Sequence, residues 1–315
     1  MEKWFDFKGR GTNASTEVIA GITTFITMVY IAIVNPAILS KTGMDFNGVF
    51  VATILATMIG TLIMGVFSNY PIAIAPGMGL NSFFAFAVVL ALGITWQKAL
   101  GAVFIASLIF LVLSFTKFRN VLINSIPESL KHSITAGIGL FIAFIGLQGS
   151  KIIVDSPATL VTFGHASDPV VLLTIFNLFV TVVLMMFNVR GNIFIGMVIT
   201  AIIALFNGMI TLPPSLFVWP TGLEHTAMQM DIKGVFDDNL YAIIFTFFLI
   251  TLFFFFLTMI GIAEQAGLIK DGKFPRIKSA LLADAVGSTV GAMLGTSPTS
   301  AYIESGAGVA VGGRT

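Results

Sequence analysis

Two short stretches place hydrogen-bonding side chains where the surrounding chain is apolar. The first, NYPIAIAPGMGLNSFFAF, runs from Asn69 to Phe86 and carries Asn81. The second, GTSPTSAYIESGAGVAVGG, runs from Gly295 to Gly313 and carries Glu304. Pro71 and Pro76 remove backbone donors, while Gly77 and Gly79 tolerate non-helical dihedrals. Thr296, Ser297, Pro298, Thr299 and Ser300 break the second stretch by the same grammar. Alternation before Pro76 predicts a short extended piece, and SFFAFAVVLALG after it predicts a half-helix with Asn81 in its first turn or two. Glu304 follows its own break in the same way. A half-helix start offers free N–H groups and the positive end of the helix dipole to a ligand. A carboxylate accepts hydrogen bonds and an amide both donates and accepts. Together these groups are suited to capturing a small polar molecule, with Glu304 able to bind a proton as well.

The elements that position them lie in a membrane. The 315 residues are 57% hydrophobic and only 10% charged, with mean hydropathy +0.99. Too little charge remains to cover a water-facing surface. Long continuous apolar runs, without the alternation of barrel strands, predict an all-α polytopic protein. Runs of spanning length occupy about 16–38, 48–68, 96–116, 131–149, 170–188, 190–206, 241–264 and 278–295. Adding the two broken segments, about 71–93 and 296–312, gives ten crossings. With the N-terminus cytoplasmic, twelve Lys and Arg residues fall inside and four, Lys41, Lys98, Lys151 and Lys233, fall outside. The tail MEKWFDFKGRGTNASTE lacks a cleaved-signal pattern, so the first run is expected to remain as a span. The connection at 207–240 predicts a Pro-rich external loop with a short interfacial helix.

Irregular backbone at membrane depth survives only where protein or a watery cavity satisfies it. One Pro-Gly kink is commonly only a kink; two matched breaks, each followed by a polar residue, point to a substrate site between repeats. Glu304 is the deepest acid in this topology, and a buried ionisable group in a bilayer is a functional hypothesis by default. Asp284, in ALLADAVGSTVGAML, is also deep and is expected either to pair with a neighbouring helix or to take part in proton movement. Glu17 reads as a helix N-terminal acid and Glu264 as an interfacial residue. In the first span, Thr23, Thr24 and Thr27 are of a type that often bonds back to its own helix, and Asn35 before Pro36 reads as a cap.

Other functions find no support. No cysteine is present, and no phosphate-binding loop, HExxH, GxSxG or Cys/His cluster occurs. His132, His165 and His225 fall in or beside loops. A net charge of +1 gives no reason to expect nucleic acid as a partner. The expectation is a protein that is not an enzyme and holds no metal and no cofactor.

VIAGITTFITMVYIAIVNPAIL, APGMGLNSFFAF and KFPRIKSALLADAVGSTVGAMLGTSPTSAYIESGAGVAVGGRT together resemble the AzgA-like purine permeases. These are guanine/hypoxanthine and adenine permeases of the nucleobase–cation symporter-2, or xanthine/uracil permease, superfamily. The resemblance covers nearly the whole chain. It implies a fourteen-helix fold of two inverted seven-helix repeats, with short strands in the third and tenth segments. The implied plan is a cytoplasmic tail at 1–15, core helices 1–4 at 16–116, gate helices 5–7 at 117–206, an external loop at 207–240 and core helices 8–10 at 241–315. The implied activity is purine uptake by proton symport in the bacterial cytoplasmic membrane. The substrate-binding set is Glu304, Asn81, Ser300, Thr299, Phe83 and Thr24, with Phe83 and Phe84 either stacking on the purine or merely packing. Glu304 and Asp284 are the proton-coupling candidates.

Two departures stand out. Where the family carries an FDTxGT-like run in its eighth helix, this chain reads LITLFFFFLTMIGIAEQAG, with Phe254 near the place of the acid. By the same resemblance the eleventh core helix and the second half of the gate are absent, so a truncated permease is expected. The alternatives are an inactive or partner-dependent membrane fragment, or a related anion transporter of the same architecture. The expected partners are a purine nucleobase, a proton and the lipid bilayer, with a homodimer as a candidate assembly.

Overall fold

The computed structural model describes residues 2–116, 128–187, 189, 192–211, 219–268 and 275–315. The chain divides into two compact units, Met1–Thr135 with Pro220–Thr315, and Ala136–Trp219.

In the first unit, α1 (Ala14–Met28) is capped by Asn13, which accepts from the Thr16 N–H at 2.9 Å. It passes through Val29 and Tyr30 into α2 (Ile31–Leu39), which carries Pro36 in its interior. Asp45 caps α3 (Phe46–Ile63) through the Gly48 N–H at 2.7 Å. A π-turn at Met64–Ser68 and the left-handed Asn69 (φ 54°) then redirect the chain into β1 (Ile74–Pro76). After Gly77 comes α4 (Met78–Ser82), prolonged as a wider π-type helix over Phe83–Ala91, and then α5 (Trp96–Ser114).

α6 (Glu128–Gly149) leads into the second unit, where β2 (Ile153–Ser156) and β3 (Leu160–Phe163) form an antiparallel hairpin. Sequence patterning leaves this stretch as a plain connection. Its β-branched and aromatic residues, IIVDS and TLVTF, suit strands once two such segments lie back to back. Lys151 Nζ lies 3.7 Å from Asp168 beside the hairpin. α7 (Pro169–Met186) and α8 (Asn192–Phe206) pack against each other.

Back in the first unit, α9 (Ile232–Asp237) is the short helix expected in the external connection. α10 (Tyr241–Gln265) and α11 (Ile277–Leu294) follow, and Gly295 ends α11 at φ 96°, a conformation that favours glycine. The last elements are β4 (Thr299–Ala301) and α12 (Ser305–Ala310).

Among the described residues six helical segments are long and apolar enough to cross a membrane, with Met78–Ala91 and Asn192–Phe206 as shorter apolar helices. In lipid, helices gain little by hiding apolar surface from one another, so they associate through close packing of small residues. α3 and α11 do so at Gly60 and Gly287, where a Cβ on Gly60 would lie 2.7 Å from Ile74 Cγ2 and 3.6 Å from Gly287 Cα. This crossing supports β1 from beneath. Aromatic side chains fill the space between α4, α5 and α10. Phe83 meets Phe247 edge-on at 5.2 Å, and Phe110 meets Phe255 at 6.1 Å.

Candidate substrate site

The two broken segments, far apart in sequence, meet as an antiparallel strand pair. Ile74 stands opposite Ala301, Ala75 opposite Ser300 and Pro76 opposite Thr299, and all six residues are buried. Three residues per strand leave many backbone groups to be satisfied by other means. The Gly77 N–H donates to the Pro298 carbonyl at 3.2 Å, and the Tyr302 N–H to the Ala73 carbonyl at 2.9 Å. Side chains complete the pairing. The Ala73 N–H donates to Ser305 Oγ (2.9 Å), the Ile74 N–H to Thr61 Oγ1 (3.0 Å) and the Thr299 N–H to Ser288 Oγ (3.0 Å).

Register sets Asn81 and Glu304 at opposite ends of this pair. Asn81 lies beyond the Pro76/Thr299 end and Glu304 beyond the Ile74/Ala301 end. Asn81 is fully buried, and its Nδ2 donates to Asn35 Oδ1 at 2.9 Å. Asn35 also accepts from Ser297 Oγ (3.2 Å) and donates to Thr53 Oγ1 and Thr296 Oγ1 (2.7 Å each). Both amide hydrogens and both carbonyl lone pairs are therefore used. The cap expected of Asn35 is not what the structure shows: it lies inside α2 as a buried hub joining α3, α4 and the residues that lead into β4.

Glu304 is half-buried and precedes α12. Its Oε1 accepts a hydrogen bond from the Tyr30 hydroxyl, and its carbonyl accepts from Thr27 Oγ1 at 3.3 Å. Tyr302, 5% exposed, lies next to Tyr30. Tyr30 sits within an apolar run, so periodicity gave no sign of its role. α12 approaches α1 closely enough that a Cβ on Gly308 would overlap Thr24 Oγ1 and come within 2.7 Å of the Ala20 carbonyl.

The remaining candidates divide by what they touch. Ser300 Oγ is buried without a hydrogen-bond partner among the described residues. The Thr299 hydroxyl is committed, to Ser288 Oγ at 3.1 Å and to the Asp284 carbonyl at 3.3 Å. Asp284 is fully buried, and neither carboxyl oxygen has a hydrogen-bond partner among the described residues. Phe83 is half-buried and braced by Phe247. In α10, Phe255 and Phe256 are core residues while Phe254 remains half-buried. The side chain of Glu264 lies outside the described residues. Glu17 in α1 accepts from the Arg314 and Thr315 N–H groups at 2.8 and 3.2 Å.

A cavity of about 510 Å³ runs along α1 and α3, lined by Thr24, Thr53, Thr57 and Thr61 among apolar neighbours. Of the candidate residues only Thr24 lines it. The carboxylate and the strand pair, not this groove, concentrate the polar chemistry.

Comparison with known proteins agrees with this architecture. A profile described as Permease family (Xan_ur_permease) matches residues 15–315. The chain belongs to this permease family. The guanine/hypoxanthine permease PbuO of Bacillus subtilis is 51% identical over 316 residues, covering 99% of this chain and 73% of the relative. The adenine permease AdeP of Escherichia coli is 44% identical over 322 residues, covering 100% and 71% respectively. These relatives are transporters rather than enzymes, and family and apolar helices together make this chain an integral membrane permease. Its fold is similar to the transmembrane domain of the cyanobacterial bicarbonate transporter BicA. The TM-score is 0.69 at 15% identity, covering 96% of this chain and 78% of the other.

Proposed function

We propose that the chain imports purine nucleobases across the bacterial cytoplasmic membrane by proton symport, with its N-terminus cytoplasmic. The observation that carries this reading is the buried strand pair, flanked by an amide at one end and a half-exposed carboxylate at the other. A purine presents ring N–H groups and acceptor nitrogens on one planar edge. Glu304 accepts from the former, and Ser300 Oγ has free capacity for either. Phe83 offers a ring face, and Thr24 lines the neighbouring groove. The names of the relatives, guanine/hypoxanthine and adenine permeases, support the substrate class. The division into two compact units supports a core that holds the site and a gate built largely from 136–219.

Proton coupling is assigned to Glu304 and Asp284. Glu304 carries the acceptor oxygens that the purine meets, so its protonation and purine binding are linked. Asp284 is one turn of α11 from Ser288, which anchors β4, so its protonation state acts on the strand beside the ligand. Radiolabelled adenine and hypoxanthine uptake in cells lacking their own purine permeases tests the reading. Uptake should collapse when the proton gradient is dissipated and fall sharply in Glu304→Gln. Wild-type uptake by Glu304→Gln would sink the assignment of that residue.

A second reading, an anion transporter, is favoured by the likeness to BicA. It calls for a cation beside the strand pair, whereas Asn81 and Glu304 bond to an amide and a phenol. Bicarbonate-driven uptake without purine transport would establish it.

A further inference from the structure

A second polar cavity, of about 420 Å³, lies away from the strand pair and is lined by Asp6, Arg10, Tyr70, Arg276 and Arg314. Among the described lining residues three guanidinium groups face one carboxylate, Asp6, with the Glu17 carboxylate close enough to act on Arg10. Asp6 is itself drawn against Gly9, where any Cβ would lie 2.5 Å from Asp6 Oδ2. Arg10 is pinned in place, donating through Nη1 to the carbonyls of Asn69 (2.6 Å) and Arg314 (2.8 Å). Arg314 is pinned in turn through its own Nη1 to the carbonyls of Val309 and Gly313 (2.9 and 2.7 Å). In each case the hydrogen bonds described use a single guanidinium nitrogen. The side chain of Arg276 donates to no described acceptor. None of the three forms an ion pair with a described acid.

If Arg10 and Arg314 served only as pins, neither would need a third arginine gathered against them. Burial first, and then the Arg276 charge, pull Arg10 below the ordinary arginine value, against the opposing pull of Tyr70, Asp6 and Glu17. Guanidinium groups stay charged regardless. Their planar forks match the oxygens of a phosphate in paired hydrogen bonds, and the two that are already pinned, Arg10 and Arg314, make them with little ordering cost. On the charge asymmetry of the loops, this cavity faces the cytoplasmic side. Basic pockets there hold the headgroups of anionic lipids.

We propose that the Arg10–Arg276–Arg314 cavity is a binding site for a phosphate-bearing anion, separate from the substrate site at the strand pair. Occupation would clamp the N-terminal tail, the turn at Asn69 and the stretch after α12 together, bracing both broken segments from one side. The site is independent of what the strand pair transports.

The test uses the purified 315-residue chain and its thermal midpoint. Inorganic phosphate is titrated in detergent, with chloride at matched ionic strength as control. Nanodiscs containing phosphatidylglycerol are compared with pure phosphatidylcholine. A saturable rise with phosphate identifies a soluble phosphate source; a rise confined to phosphatidylglycerol identifies the lipid headgroup. Arg276→Ala, which removes no described hydrogen bond, should weaken the response about tenfold or more, and Arg276→Lys should restore part of it. Equal responses to phosphate and chloride with no effect of phosphatidylglycerol, no response to either probe, or an unchanged response in Arg276→Ala overturns the proposal.

Discussion

At the Pro76 end of the strand pair the amide of Asn81 belongs to a closed hydrogen-bond network, and at the Ala301 end the carboxylate of Glu304 does not. Asn81, Asn35, Thr53, Thr296 and Ser297 close a buried network in which Asn35 uses every hydrogen-bonding position it has. Across the pair, Glu304 is half-exposed with one phenol as partner, and Ser300 Oγ has none. Two segments that break for the same reason are thus held differently. The first is a fixed scaffold, because a saturated buried network is costly to disturb. The second keeps polar capacity in reserve, and a ligand or a proton can claim it.

Substitutions at the two ends should therefore fail in different ways. Glu304→Gln should give the largest effect on transport. Losing a charged acceptor weakens purine binding about tenfold to a hundredfold, while the thermal midpoint hardly moves. Asn35→Ala should do the reverse, lowering stability by about 3 kcal/mol because it strands several buried polar groups, as a melting experiment would show. If Asn35→Ala left stability intact and only raised KM, the fixed-scaffold reading would be wrong. Gly308→Ala forces α12 off α1 and should cost about 1–3 kcal/mol, shifting Glu304 with it. Tyr30→Phe, which removes the hydroxyl that faces Glu304 and Tyr302, should alter the pH dependence of uptake more than its maximal rate. Ser300→Ala should be the mildest for the fold, near neutral in stability because its hydroxyl has no bond to lose, with any loss confined to purine affinity.

Much of the design was legible in the residues. Pro71, Pro76 and Pro298 mark backbone that cannot continue a helix, and the polar residues after them mark where that backbone serves a purpose. The identity of the strands' partners was not legible, since nothing local to IAP or TSA says that each pairs with the other. Tyr30 escaped notice because a tyrosine in an apolar helix ordinarily reads as packing. Asn35 misled because a polar residue before proline has a local explanation, a cap, and its actual partners come from three other elements. The hairpin at Ile153–Phe163 was missed for a similar reason: its short segments acquire strand character only when paired. Phe254 shows the opposite case. Resemblance puts it near the place of the family's acid, it is half-buried in α10, and Phe254→Asp is predicted to strengthen purine binding without unfolding the chain.

The most direct test of the account is equilibrium binding of labelled adenine and hypoxanthine to the purified chain, wild type against Glu304→Gln. Saturable purine binding that weakens at least about tenfold in the variant, with an unchanged melting curve, is the predicted result. Binding of equal strength in both proteins would contradict it, as would no purine binding to a folded wild-type chain.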